Sequence, residues 1–101
     1  MRAAKVDANH AEIVSALRKA GANVESLAGV GKGVPDLLVG IDGRLMLMEV
    51  KDGNKPPSAR ELTPPQIAWH AQWAGYPLSV VDSVEAALRH LKVITKGPDH
   101  E

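Results

Sequence analysis

Apolar residues at Ile13, Ala16, Leu17 and Ala20 recur at helical spacing, so the stretch after Asp7 or Asn9 reads as an amphipathic helix. Asn9 and Glu12 stand at capping-box spacing, and Gly21 is the expected stop. Residues 23–27 form a short strand candidate, followed by a loop with Gly29, Gly31 and Gly33. The clearest pattern comes next. Leu37, Leu38, Val39, Gly40 and Ile41 read as a strand, Asp42-Gly43 as a two-residue hairpin turn, and residues 44–51 as the returning strand. Both strands are strongly apolar, which predicts a central place in the sheet. Residues 52–61 are a polar loop. Thr63 then caps a second helix, with Pro64 at its first position and Gln66 completing a capping box. Ile67, Ala71 and Ala74 give this helix an apolar face, and Trp69 and Trp73, one turn apart, are expected to stack. After Gly75 the pattern predicts a strand at Leu78–Val81. Asp82 or Ser83 then caps a last helix carrying Val84, Ala87, Leu88 and Leu91. The tail from Thr95 is polar and expected to fray. The order α-β-β-β-α-β-α predicts an α/β fold, a mixed sheet with helices on both faces.

The hairpin register brings chemistry together. With Asp42-Gly43 as the turn, Ile41 faces Arg44, and continuing the ladder sets Asp36 opposite Glu49. Residues so placed lie about 4.5–5.5 Å apart at Cβ on one face. Side chains alternate along a strand, so Lys51 shares that face with Glu49. Two carboxylates facing each other on an apolar sheet destabilise it unless something offsets the charge. A divalent cation would do so, and hard oxygen ligands select Mg²⁺ or Mn²⁺. The alternative is a structural cluster in which Lys51 alone neutralises the pair.

Composition limits the possibilities further. A chain of 101 residues is expected to form one domain, 1–101, with a thin core that favours a partner subunit. It has no Cys, which excludes a disulfide scaffold, a thiolate zinc site and a Cys nucleophile. No apolar run is long enough to span a membrane, and the N-terminal residues lack a signal-peptide pattern, so a cytoplasmic protein is expected. Lys and Arg together number 12 and so do Asp and Glu, a zero balance that argues mildly against a nucleic-acid binder. Acidic residues at a metal site would offset basic ones elsewhere.

Pro35-Asp36, then a strand and turn, then Glu49-Val50-Lys51 resembles the PD-(D/E)xK signature of restriction-endonuclease-like nucleases, whose core order is αβββαβ. The context Gly33-Val34-Pro35-Asp36-Leu37, with Leu62-Thr63-Pro64 and Gln66 further on, is similar to the small stand-alone VRR-NUC nucleases of phages and bacteria. Archaeal Holliday-junction resolvases are more distantly similar. The resemblance runs from about residue 9 to 92. It implies a restriction-endonuclease-like core and metal-dependent hydrolysis of DNA phosphodiester bonds, on branched DNA such as junctions or flaps. It implies Asp36, Glu49 and the Val50 carbonyl as metal ligands. Lys51 would position or help deprotonate the attacking water and stabilise charge at the phosphate. Gln66 matches a polar position of the family at the start of this helix; it is a capping residue, an active-site residue, or both. By analogy with the resolvases, a homodimer would place two active sites on two strands.

One position departs from the pattern. Counting back from Gly21 by the family's spacing for a first-helix Glu lands on His10. The nearest carboxylate, Glu12, lies two positions on, about 200° round a helix. Glu12 is the favoured third ligand, with His10 or no ligand as the alternatives. Lys32, Lys55 and Arg60 flank the site in loops and are candidate phosphate contacts. Trp69 and Trp73 read as core or dimer contacts ahead of base-stacking platforms. His70, His90 and His100 show no ligand spacing. The competing functional readings are a DNA-binding or assembly module on a nuclease fold with little or no catalysis, and a bare metal-binding structural protein, which the hairpin argument permits.

Overall fold

The computed structural model describes residues 7–96. Its elements are α1 (His10–Lys19), β1 (Asn23–Ser26), β2 (Leu37–Ile41), β3 (Arg44–Val50), a 3₁₀ turn (Pro57–Arg60), α2 (Pro64–Gln72), β4 (Leu78–Val81) and α3 (Val84–Lys96). The expected order of helices and strands holds, with the 3₁₀ turn added inside the polar loop. Most of the tail expected to fray lies outside the described residues; Thr95 still belongs to α3.

The sheet runs β1-β2-β3-β4. The first three strands are antiparallel, and β4 joins β3 in parallel, so the sheet is mixed and the hairpin is central. Ile41 pairs with Arg44 and Leu37 with Met48, the register expected from a two-residue turn. Asp42 (φ 52°) and Gly43 (φ 76°) are both left-handed, as a type I′ turn demands. That turn matches the twist of the strands it joins, so it locks the register that aligns Asp36 with Glu49.

Alternation then sorts the two faces. Val24, Leu37, Val39, Met46, Met48, Val50 and Val81 are buried on one side, against Ile13 and Leu17 of α1 and Ala87 and Leu91 of α3. Each fully buried aliphatic side chain there contributes about 1.5–3 kcal/mol. The opposite face carries Leu38, Leu45, Leu47, Glu49, Leu78 and Val80, and α2 reaches that side through Gln66. Helices thus lie on both faces, but only α1 and α3 bury the sheet.

Two local expectations are corrected. Asn9 occupies the N-cap of α1 without a side-chain capping bond. Its amide nitrogen instead donates to the Lys51 carbonyl (3.0 Å) and the Asp82 carbonyl (3.2 Å), tying the start of α1 to the ends of β3 and β4. The second correction concerns α2. Its period is as expected but its phase is not. Ile67, Ala71 and Ala74 face outward, and no residue of the helix is buried. The inward stripe is Gln66, Trp69 and His70, all half-buried. The helix docks through polar contacts from Gln66, so its apolar side is left to solvent.

Close backbone contact fixes where α2 begins. Gly33 has φ +83°, and a Cβ there would overlap the Pro65 carbonyl. The loop preceding Asp36 therefore lies directly on the first turn of α2, a contact that only glycine permits.

Candidate active site

Asp36 sits one residue before β2, where the ladder to β3 has just ended. Its main-chain carbonyl accepts from Leu27 N (2.6 Å) and its Oδ2 accepts from Val50 N (2.8 Å). The carboxylate is thus held at the end of the hairpin by the backbone it faces. Glu49, on the adjacent strand, is 2% exposed. Its Oε2 accepts from Gln66 Nε2 (3.0 Å), while Oε1 is buried with no hydrogen-bond partner. Lys51 Nζ donates to Gln66 Oε1 (2.9 Å) and lies 3.8 Å from Glu49 Oε2. Its backbone N–H donates to the Val81 carbonyl (2.9 Å), so the lysine leaves β3 from a fixed point beside β4.

Gln66 serves two purposes. Its Oε1 accepts from Thr63 N (2.8 Å), and its own N–H donates to Thr63 Oγ1 (3.4 Å), which completes the capping box. The same side chain bridges Lys51 and Glu49. Both readings of this residue hold at once, because a capping Gln lies flat against the first turn and that turn lies over the site.

Electrostatics follow from burial. Glu49 is pushed up to about 8, first by burial and then by the Asp36 carboxylate; Asp7 adds to the rise and Lys51 opposes it. Burial and the facing Asp36 carboxylate thus favour the protonated form of Glu49 in the metal-free protein. The imidazole of His70 is shifted the other way, below the ordinary histidine range, by burial and then by the Lys51 charge. Asp36, Glu49, Lys51 and Gln66, drawn from three segments of the chain, thus form one polar cluster on an otherwise apolar sheet face.

The remaining candidates lie elsewhere. Glu12 lines a cleft with Asn9, Asp52, Asp82 and Glu85, and His10 lines a groove with Val14, Arg18 and Ser26. Among the described residues no three His, Asp or Glu side chains are grouped in a way that would hold a metal ion. The inward positions of α1 are occupied by Ile13 and Leu17. Val50 meets Asp36 through its N–H. Lys32 is exposed in the glycine loop at φ 58°. Lys55 Nζ lies 3.7 Å from Asp7, and Arg60 lies 3.3 Å from Asp82. Such partly exposed pairs contribute little to stability.

Two residues near the cluster carry signals that the sequence reading passed over. His70 follows Gln66 by four, the spacing that puts both on one helix face. Asp7, read as a cap, acts on the charge of Glu49.

A divalent cation fits the pair. Two carboxylates offer hard oxygen donors, one Glu49 oxygen is buried without a partner, and the pair lacks the positive charge that would ionise it fully. Comparison with protein-family models, with characterised proteins and with solved structures gives no match to this chain.

Proposed function

We propose that this protein is a Mg²⁺- or Mn²⁺-dependent endodeoxyribonuclease of the VRR-NUC type, with a restriction-endonuclease-like core, acting on branched DNA such as junctions or flaps. The observation that carries the reading is the convergence of Asp36, Glu49, Lys51 and Gln66 at the end of the central hairpin, with a buried Glu49 oxygen lacking a partner. Asp36 and Glu49 would hold the cation, with the Val50 carbonyl adjoining. When bound, the cation supplies Lewis-acid activation of water and charge neutralisation at the phosphate. Lys51 provides a positive charge beside the pair, directed by Gln66, where it can orient the attacking water and stabilise negative charge developing on phosphate oxygens. Gln66 keeps Lys51 and Glu49 in register with each other.

A homodimer belongs to this reading. Leu45 (63% exposed), Ile67 (56%), Tyr76 (63%) and Val80 (43%) leave large apolar side chains in solvent. A second copy would cover some of them and pair two sites on two strands. Light scattering at micromolar concentration should give twice the monomer mass; a monomer would remove this part.

The competing reading, a DNA-binding or assembly module with little catalysis, draws on the lack of a third grouped ligand among the described residues. One experiment separates the two. Wild-type protein is incubated with branched and linear DNA and Mn²⁺, and the products are run on a gel. Cleavage is expected, and Lys51→Ala should abolish it while leaving Mn²⁺ binding intact. Binding without cleavage in the wild type would favour the assembly module. Loss of folding and of Mn²⁺ binding together in Lys51→Ala would mark a structural salt-bridge cluster.

A further inference from the structure

We propose that His70 is a positioning residue of this same site, a second acceptor that holds the Lys51 ammonium from the α2 side. The proposal deepens the nuclease reading and rests on it for its kinetic arm. Three observations carry it. First, His70 lies one turn after Gln66 on the inward stripe of α2, and Gln66 contacts both Lys51 and Glu49. Second, His70 Nε2 is buried with no hydrogen-bond partner, a condition that native proteins rarely leave unexplained. Third, Lys51 has donor capacity to spare. An ammonium carries three protons. One goes to Gln66 Oε1 at 2.9 Å, and Glu49 Oε2, at 3.8 Å, is beyond hydrogen-bond length.

An unmet acceptor and an unmet donor therefore stand on neighbouring elements. Burial and the Lys51 charge both keep the imidazole neutral, which leaves a lone pair on one ring nitrogen. A Glu49 committed to a cation no longer serves Lys51 as its counter-charge. The amide oxygen of Gln66 and the imidazole of His70 are then the two α2 acceptors that keep the amine over the site.

The test compares wild-type chain with His70→Gln, which keeps an acceptor, and His70→Leu, which removes it. The first readout needs no cleavage. The Lys51 ammonium ¹H–¹⁵N signal, assigned by its absence in Lys51→Met, survives only when hydrogen bonds protect the amine from exchange. It should be present in wild type and His70→Gln and lost in His70→Leu. The second readout is kinetic. His70→Leu should lower kcat by about 10–100-fold, the usual cost of losing a supporting contact. KM, the Mn²⁺ Kd by calorimetry and the Tm should change little. A wild-type signal already lost to exchange would overturn the proposal, as would an unchanged signal and kcat in His70→Leu. Equal impairment of both variants with a lowered Tm would also overturn it, since that is simple packing. If wild type cuts no DNA, the nuclease reading falls, and the ammonium signal still decides the place of His70.

Discussion

Replacing Asp36 with Asn is expected to raise the melting temperature of the metal-free protein at pH 8 and to remove most of its response to Mn²⁺. The Asp36 carboxylate faces Glu49 and is one cause of that residue's raised pKa. Deleting the charge relieves the repulsion. The amide oxygen of the introduced side chain can still accept the Val50 N–H that Asp36 accepts at 2.8 Å, so the local structure should survive. The same change takes away one of the two carboxylates that would bind a cation. For the wild type, a cation bound only by the folded state stabilises by about 2.7 kcal/mol at a hundredfold excess over Kd. In a domain of this size that is a Tm rise of about 10–20 °C. In Asp36→Asn the Mn²⁺-induced rise should fall to a small fraction of this, and cleavage should stop. Paired thermal melts with and without Mn²⁺ check both halves. A metal-free variant that melts lower, with its Mn²⁺ shift intact, would show that the two carboxylates do not face a common cation.

The stability of the metal-free protein should also fall as pH rises, against the usual trend for paired carboxylates. Glu49 has a folded pKa of about 8, against an ordinary value of 4.5. Between those two values the folded protein holds a proton that the unfolded chain has released. The unfolding free energy therefore decreases with pH across that window, by at most about 1.4 kcal/mol per unit. His70 works in the other direction. Its pKa is lowered in the fold, so its contribution to stability rises as pH approaches the ordinary histidine value of 6.5. Above 6.5 that opposing effect is spent, and the downward slope from Glu49 should stand clear up to about pH 8. Denaturant melts of wild type and Glu49→Gln across this range isolate it, since the variant should lose the slope. With saturating Mn²⁺ the carboxylate has a counter-charge, so the metal-induced stabilisation should grow over the same interval. A metal-free wild type that gains stability from pH 6.5 to 8 would contradict the buried, protonated Glu49.

The hairpin was the most legible part of the chain, because it depends on two short-range rules that rarely compete. Asp42-Gly43 can adopt the two left-handed conformations of a type I′ turn, and the period of two along β2 and β3 then assigns every side chain to a face. Asp36, Glu49 and Lys51 follow from the register alone. Gln66 was visible for a different reason: the capping box fixes the start of α2 to the residue. What the sequence did not show is how α2 rotates about its own axis. Ile67, Ala71 and Ala74 form a proper apolar stripe, but binary patterning presumes that the apolar side faces the core. Here the opposing surface is a buried carboxylate and an ammonium, so hydrogen bonding from Gln66 decides the orientation. On the first helix, counting residues from Gly21 places His10 or Glu12 by analogy, whereas the burial of Ile13 and Leu17 sets the angle of α1; Glu12 then lines a cleft with Asp52 and Asp82, and His10 a groove with Val14 and Ser26.

The docking of α2 without a buried residue also says how the fold comes apart. Elements held by many buried apolar contacts open only with the whole domain, whereas those held by a few polar bonds open locally at much lower cost. The sheet with α1 and α3 belongs to the first class and α2 to the second. The helix that carries Gln66 and His70 can lift away while the hairpin bearing Asp36 and Glu49 stays folded. Amide hydrogens of α2 would then exchange with solvent through small, frequent openings, and those of β2 and β3 only through global unfolding. The floor of the site is permanent architecture; its roof is a local equilibrium, set by the same few hydrogen bonds that organise the polar cluster.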